Sequence, residues 1–249
     1  MAAHIVCITR WIDNKIRFIG HICSFFHILN HYTYYSFKIK IPLHDFDLTL
    51  PELRMGHVFC YNVDMKTALI LIDIQNDYFP GGKGELENPI VAATQARELL
   101  DFFRWQGWPT IHIQHVATRP GAITFLPDTE GVKIHASIAP LPSEAIIVKH
   151  FPNSFRETDL LEHLKGLGVD RLVLCGMMTH MCVDASMRAA VDLGFQVLLA
   201  ADACATRALT YGEMKIPAQY VHAAFLAALK SYGQVLQTEE IRKQLQGKN

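Results

Sequence analysis

Three polar residues stand where apolar runs end: Asp73 after residues 68–72, Lys149 after residues 146–148, and Cys182 a few positions past residues 171–175. An unbroken apolar run of this kind reads as a strand covered on both faces of a parallel sheet. A carboxylate or ammonium at its end is partly withdrawn from water, which costs several kcal/mol per ion unless the charge is paired or used. An aspartate and a lysine at neighbouring strand ends offset that cost for one another. Cys182 falls in the expected first turn of a helix, where free backbone N–H groups and the helix dipole favour an anion. Its thiol is therefore expected to be more acidic than the ordinary value of about 8.5. The same N–H groups can hold the oxyanion of a carbonyl attacked by sulfur. Singly, each residue has a plainer use, as a cap, a surface lysine or a small core side chain; their common edge is what points to nucleophilic chemistry.

The elements that must position these residues follow one another from residue 65 onward as alternating strand-like and helix-like segments. Asn88 reads as an N-cap with Pro89 at the first helical position, and Val91, Ala92, Ala96, Leu99, Leu100 and Phe103 recur at helical spacing until Gly107. A strand over 110–116 leads into a long loop through Pro142, of the kind that is usually functional, and a short strand over 145–149 follows. A helix carries Leu160, Leu161, Leu164 and Leu167 and ends at Gly168; residues 171–175 form the next strand. Residues 176–181 turn into a helix from about Cys182 to Leu193, followed by a strand at 195–200, a helix at 217–232 and a last strand at 234–237. This order predicts an α/β domain, whose right-handed crossovers bring the carboxyl ends of the strands, and with them all three polar residues, to one edge.

The chain has 249 residues, half of them apolar, with a formal net charge of −1. That balance offers no basic stripe for nucleic acid and favours a small-molecule partner. Six cysteines without a C-x-x-C pair fit a reduced, cytoplasmic protein better than a disulfide scaffold or a zinc knuckle. The best candidate for a membrane or signal segment, residues 18–29, is interrupted by Gly20, His21 and His27, and no small-residue cleavage site follows it. Residues 1–64 differ in character from the rest: they hold nearly half the histidines and aromatics and sustain no amphipathic period. The expected organisation is an atypical extension over 1–64, from a start codon upstream of a natural first residue at Met65, and one domain over 65–249.

The run Leu71-Ile72-Asp73-Ile74-Gln75-Asn76-Asp77-Tyr78-Phe79, Lys149 after Ile146-Ile147-Val148, and Gly176-Met177-Met178-Thr179-His180-Met181-Cys182-Val183 with Arg188 and Gly194 beyond it resemble the isochorismatase-like cysteine hydrolase family. Asp202-Ala203-Cys204-Ala205-Thr206 is similar to that family's Asp-Ala stretch. The resemblance implies a three-layer α/β/α fold with a six-stranded, mainly parallel sheet. It implies a triad carried by Asp73, Lys149 and Cys182, a cis peptide between Met177 and Met178, and an oxyanion hole made by the N–H groups of Met178 and Cys182. Family precedent also implies a homo-oligomer. The apolar stripe of Val221, Ala224, Phe225 and Ala228 suits either such an interface or the cover of a sheet.

Nicotinamidases of this family carry a metal on an Asp-x-His step and a further histidine. Here residues 111–119 place His112 and His115 three apart, on opposite faces of a strand, with no carboxylate between them and only His135 nearby. No catalytic metal and no cofactor are expected, with His112 packed in the strand and His115 at the pocket. Hydrolysis of the isochorismate vinyl ether needs a proton donor but no thiol, so Cys182 beside Lys149 favours acyl transfer through a thioester. The expected activity is hydrolysis of a C–N bond in small amides, carbamoyl compounds or ureides. The alternatives are a vinyl ether hydrolase and a non-catalytic oligomeric binding protein of the same fold. Gln75, Phe79, His115, Phe125, Phe155 and His180 are the candidate pocket residues, with loops 119–142 and 151–155 setting the pocket's shape.

Overall fold

A computed structural model describes residues 65–247; the extension expected over 1–64 lies outside the described residues. Strand β1 (Thr67–Ile72) passes through a 3-10 turn (Asn76–Tyr78) into α1 (Pro89–Gln106), then β2 (Thr110–His115), a long loop and β3 (Ala145–Lys149). Helix α2 (Leu160–Gly166), β4 (Arg171–Met177), a π-helical turn (Thr179–Val183), α3 (Asp184–Asp192) and β5 (Gln196–Ala205) follow. The chain closes with the hairpin β6 (Leu209–Tyr211) and β7 (Met214–Ile216), then α4 (Ala218–Leu229), β8 (Gln234–Leu236) and α5 (Thr238–Gln246). Six strands form one sheet in the order β3-β2-β1-β4-β5-β8, and every neighbouring pair is parallel. The expected α/β fold is present, with a sheet that is parallel throughout.

Period-two alternation divides the strand residues between two cores. Leu69 and Leu71 of β1, Val173 and Cys175 of β4, and Leu198 and Ala200 of β5 pack beneath α1 and α5 against Leu99, Leu100, Phe103, Ile241 and Leu245. Ala68, Ile70, Ile72, Ile111, Ile113, Leu172 and Leu174 face the other way, onto Leu160 and Leu164 of α2 and Met187 and Ala190 of α3. The central strand β1 is apolar at nearly every position because both of its faces are covered. Fully burying each of its Leu or Ile side chains is worth about 1.5–3 kcal/mol.

Several local expectations need correction. Asn88 sits before α1 in the left-handed region (φ 56°) and makes no side-chain cap bond, so the helix start rests on Pro89 alone. Cys182 lies inside the π-helical turn, ahead of the α-helix that begins at Asp184. Of the stripe on α4, Val221 is buried, as is Leu229, while Ala224 and Ala228 are exposed, so only part of it covers the sheet. The β6–β7 hairpin and α5 were not anticipated. Helix α5 nevertheless carries a readable start, a capping box between Gln237 and Glu240.

The long loop after β2 is fixed by the residues that follow β1. Asn76 and Asp77 donate backbone N–H groups to Lys133 and Gly131, and His135 returns one to Ile74. The buried Asp77 carboxylate accepts from the N–H groups of Lys83 and Phe125. A Cβ at Gly131 would collide with that carboxylate, so only glycine lets the loop approach. Farther along, Glu144 binds Arg104 of α1 through two nitrogens at 2.7 and 2.8 Å and His112 of β2 at 3.0 Å. His112 is thus a packed strand residue, as expected.

Burial alone would raise the Glu144 carboxyl, but Arg104, the Leu141 N–H and His112 outweigh it and hold it at about 2, against an ordinary value of 4.5. A depressed carboxyl contributes stability that is complete above its unfolded value and is lost as pH falls through the folded one. Glu144→Gln should therefore cost about 2 kcal/mol at pH 7, with the gap to wild type closing between pH 4.5 and about 2. Thermal denaturation at several pH values checks this; a gap that stays constant on acidification would refute the assignment.

Candidate active site

By strand alternation, His115 and Lys149 share the α2–α3 face with Ile113 and Ile147. Alternation along β1 would send Asp73 to the opposite face with Leu69 and Leu71. Its backbone instead adopts φ 50°, a region that disfavours most side chains, while its N–H still bonds Ile113 of β2 at 3.1 Å. This break in alternation brings the carboxylate to Lys149. Behind it, Gly176 (φ 129°) lets β4 run against β1 where any Cβ would strike the Ile72 carbonyl oxygen.

Lys149 is fully buried, and its Nζ lies 2.7 Å from Asp73 Oδ2. The same nitrogen is 3.3 Å from Cys182 Sγ, 3.1 Å from the Phe151 carbonyl oxygen and 3.1 Å from His115 Nδ1. Four acceptors thus compete for three N–H bonds. Asp73 is also fully buried, and its Oδ1 has no hydrogen-bond partner. An Asp73 oxygen, a His115 ring nitrogen and Cys182 Sγ lie within 4.8 Å of one another. That trio is a conceivable ligand set, but the Lys149 ammonium sits among the three atoms and takes the cationic position.

Charge states follow from these distances. Burial by itself would lower the Lys149 pKa, but Asp73 and Cys182 more than reverse it, and the ammonium is held above the ordinary lysine value. Burial pushes His115 down to about 4. The ring is therefore neutral, with Nδ1 accepting from Lys149 and the proton on Nε2. Burial, and then the Asp73 carboxylate, push the Cys182 thiol up against the opposing pull of Lys149. The acidified resting thiol expected from a helix start is opposed here, because burial and Asp73 favour the protonated sulfur over the pull of Lys149.

The Met177–Met178 peptide is cis. The Met178 carbonyl accepts from the N–H groups of Met181 and Val183, a pattern that passes over the N–H of Cys182. Cys182 is itself only 5% exposed.

The candidate pocket residues separate into two sets. His115 touches Lys149, and Phe125 lies beside it with ring centroids 5.6 Å apart. His180, in the turn that carries Cys182, bonds Thr206 through Nδ1 and meets Phe225 edge-on. Gln75 is not available to a substrate through its amide nitrogen. Both Nε2 protons go to the carbonyls of His115 and Val132, and Oε1 accepts from the His115 N–H, so the side chain braces β2 against the loop. Phe79 is buried in a stack with His135, and Phe155 stacks on Phe195 beneath α3; both serve packing.

Reading the sequence missed Tyr78 and Arg207. The buried Tyr78 hydroxyl is held well above its ordinary value by burial and by the fields of Cys182 and Asp73, with Arg207 opposing them. Arg207 follows Thr206 at the end of β5 and, like Arg119 near His115, is exposed and has no ion pair among the described residues. Tyr78 stood in a quoted motif; nothing in the sequence set Arg207 apart from other loop arginines.

A doubly wound α/β/α domain with a buried carboxylate, ammonium and thiol at the carboxyl edge of its sheet is the class of protein these features define. The chain belongs to the isochorismatase family: the family's domain model matches residues 67–240. It is 51% identical over 180 residues to an uncharacterised isochorismatase family protein, YddQ, of Bacillus subtilis, covering 72% of this chain and all of that one. A streptothricin hydrolase of Streptomyces noursei is 34% identical over 139 residues, 56% of this chain and 49% of that enzyme. A crystal structure of an isochorismatase-type hydrolase from Oleispira antarctica superposes with a TM-score of 0.69 at 46% identity, covering 71% of this chain and 96% of that one.

The opposite effects of Asp73 and Lys149 on the thiol can be measured. Alkylation of Cys182 by iodoacetamide, followed by peptide-resolved mass spectrometry across pH, should shift its midpoint down in Asp73→Asn and up in Lys149→Met. Shifts of the same sign in both variants would contradict the charge assignment.

Proposed function

We propose that residues 65–249 form a cysteine-dependent hydrolase that cleaves a C–N bond in a small amide, carbamoyl compound or ureide through a thioester. The observation that carries this reading is a single buried ammonium, Lys149, within 3.3 Å of both a carboxylate and a thiol. In the proposed reaction Asp73 takes the Sγ proton of Cys182 as sulfur attacks the carbonyl carbon. Sulfur is a weak acceptor as a thiol and a strong one as a thiolate, so the Lys149 contact strengthens as charge develops on it. The N–H groups of Met178 and Cys182 receive the oxyanion. The C–N bond then breaks, and the amine leaves with the proton that Asp73 carries. Water, deprotonated by Asp73, hydrolyses the thioester, and the proton returns to sulfur.

The similarity to a streptothricin hydrolase supports hydrolysis over a binding role. The unpaired Arg207 and Arg119 beside the site favour a substrate that bears an acid group. Among the described residues no helix is long and apolar enough to cross a membrane, and the described cysteines are free, which suits a cytoplasmic setting.

We further propose self-association through the outer face of α4 and the adjoining hairpin. Ala223, Ala224, Ala227 and Ala228 are exposed there, together with Tyr220, Tyr211 and Met214. Light scattering should give a multiple of the chain mass, 28.1 kDa for the full sequence; a single-chain mass at micromolar concentration would exclude this.

Turnover of a panel of small amides, carbamates, ureides and isochorismate tests the activity. Asp73→Asn should abolish acylation, and Lys149→Met and Lys149→Arg should each lose at least about a hundredfold, or about 2.7 kcal/mol of barrier. Arginine retains the charge, but its planar fork cannot occupy the same point. Turnover of isochorismate alone, surviving Cys182→Ala, would replace this reading with vinyl ether hydrolysis.

A further inference from the structure

Thr179 opens the turn that carries Cys182, and its hydroxyl is held from two sides. It donates to the Ala205 carbonyl at the end of β5 at 3.2 Å and lies 2.9 Å from Nδ1 of His222 on α4. A threonine hydroxyl has one proton. That proton is shared between the Ala205 oxygen and Nδ1 of His222, the nearer of the two. Burial lowers the pKa of His222 against a hydrogen bond to the Ala201 carbonyl that raises it, so the ring is neutral, and the proton it gives to Ala201 leaves Nδ1 as the acceptor facing Thr179. The result is a chain that runs from the Ala201 carbonyl through the His222 ring to the Thr179 hydroxyl and the Ala205 oxygen, each bond polarising the next.

The neighbouring residue repeats the pattern. His180 bonds Thr206, the residue after Ala205, and its ring meets Phe225, three positions along α4 from His222. Positions i and i+3 lie on one helix face. Two consecutive residues of the turn are thus tied to the last residue of β5 and the one after it, and to one face of α4. Thr179 is fully buried, which keeps its hydroxyl away from any substrate and leaves positioning as its use.

We propose that His222 is a positioning residue: through Thr179 it fixes the turn that holds Cys182 Sγ against Lys149 Nζ. This rests on the reading of Cys182 as the nucleophile. The sulfur–nitrogen contact is 3.3 Å, so a displacement of about an ångström ends it, and a shift of that size can cost about a hundredfold in a reactive geometry.

Iodoacetamide alkylation of Cys182 in the full chain, followed by peptide-resolved mass spectrometry across pH, reads that contact without a known substrate. His222→Leu and Thr179→Val should each raise the pH midpoint by about one unit, which slows alkylation about tenfold at pH 7. His222→Asn sets an amide oxygen near the Nδ1 position, and Thr179→Ser keeps the hydroxyl; both should stay within about threefold of wild type. The His222→Leu/Thr179→Val double variant should be no slower than the slower single variant, because one chain is broken only once.

A wild-type midpoint in His222→Leu, or an equal loss in His222→Asn, would overturn the proposal. So would faster alkylation at an unchanged midpoint, which would make the contact a shield. If His222→Leu does not fold, the Thr179→Val and Thr179→Ser pair decides between the same outcomes. Lys149→Met separates the two levels of the argument. An unchanged midpoint in that variant removes the electrostatic reading of the site, whereas a raised midpoint there and a wild-type one in His222→Leu removes only the role of His222.

Discussion

A charged lysine with no access to water dominates the architecture of this domain. An ammonium at zero exposure is tolerable only if its hydration shell is replaced, and Lys149 replaces it with the Asp73 carboxylate, the Phe151 carbonyl, the His115 ring nitrogen and the Cys182 sulfur. Those partners come from the ends of β1, β2 and β4 and from the segment just after β3. The cost of burying the charge is therefore met only when four neighbouring strands are in register. With four acceptors for three N–H bonds, the weakest of them, the sulfur, gains most when it becomes charged. A resting arrangement of this kind is already shaped for a thiolate while still holding a protonated thiol.

The backbone departs from regular geometry where that convergence requires it. Asp73 leaves strand alternation at φ 50°, and Gly176 allows β4 to touch β1 where a side chain could not fit. The residues just after Asp73 then turn outward and bind the long loop: Gln75 to Val132, Asn76 to Lys133 and Asp77 to Gly131. One short segment thereby supplies the buried carboxylate and also orders the wall beside it. On the other side, Ser154 and Ser186 tie the loop after β3 to α3 through buried hydroxyl contacts. The site is consequently enclosed by segments tied to one another through these backbone and side-chain bonds.

That economy limits what pocket residues can contribute. A glutamine whose amide protons are both taken by backbone carbonyls, or a phenylalanine stacked in the core, adds shape and rigidity but no recognition. On the proposed reading, recognition falls to groups with unspent capacity, among them the His115 Nε2 proton and the exposed guanidinium groups of Arg119 and Arg207. Family membership is shared with a relative 51% identical over 180 residues; on the proposed reading, the selection of substrate rests with these few positions.

How much was legible in the sequence can be judged residue by residue. Apolar runs ending in Asp73 and Lys149, and helical spacing from Val91 to Phe103, determined a parallel α/β sheet and the edge at which its polar residues gather, because both follow from local periodicity and the right-handed crossover rule. The quoted motifs located Cys182 and the Met177–Met178 peptide within that scheme. The acidity of the thiol was not determined in the same way, because it depends on the balance of burial, Asp73 and Lys149 in three dimensions, and that balance runs opposite to the helix-start expectation. Nor was the use of Gln75, Phe79 and Phe155, whose partners His115, His135 and Phe195 lie 40, 56 and 40 residues away in the chain. Sequence alone determined which chemical groups meet at the sheet edge, since strand ends are set by local pattern. Only the tertiary structure decided their protonation and the allegiance of the side chains around them, since both are set by distances between segments that no local pattern encodes.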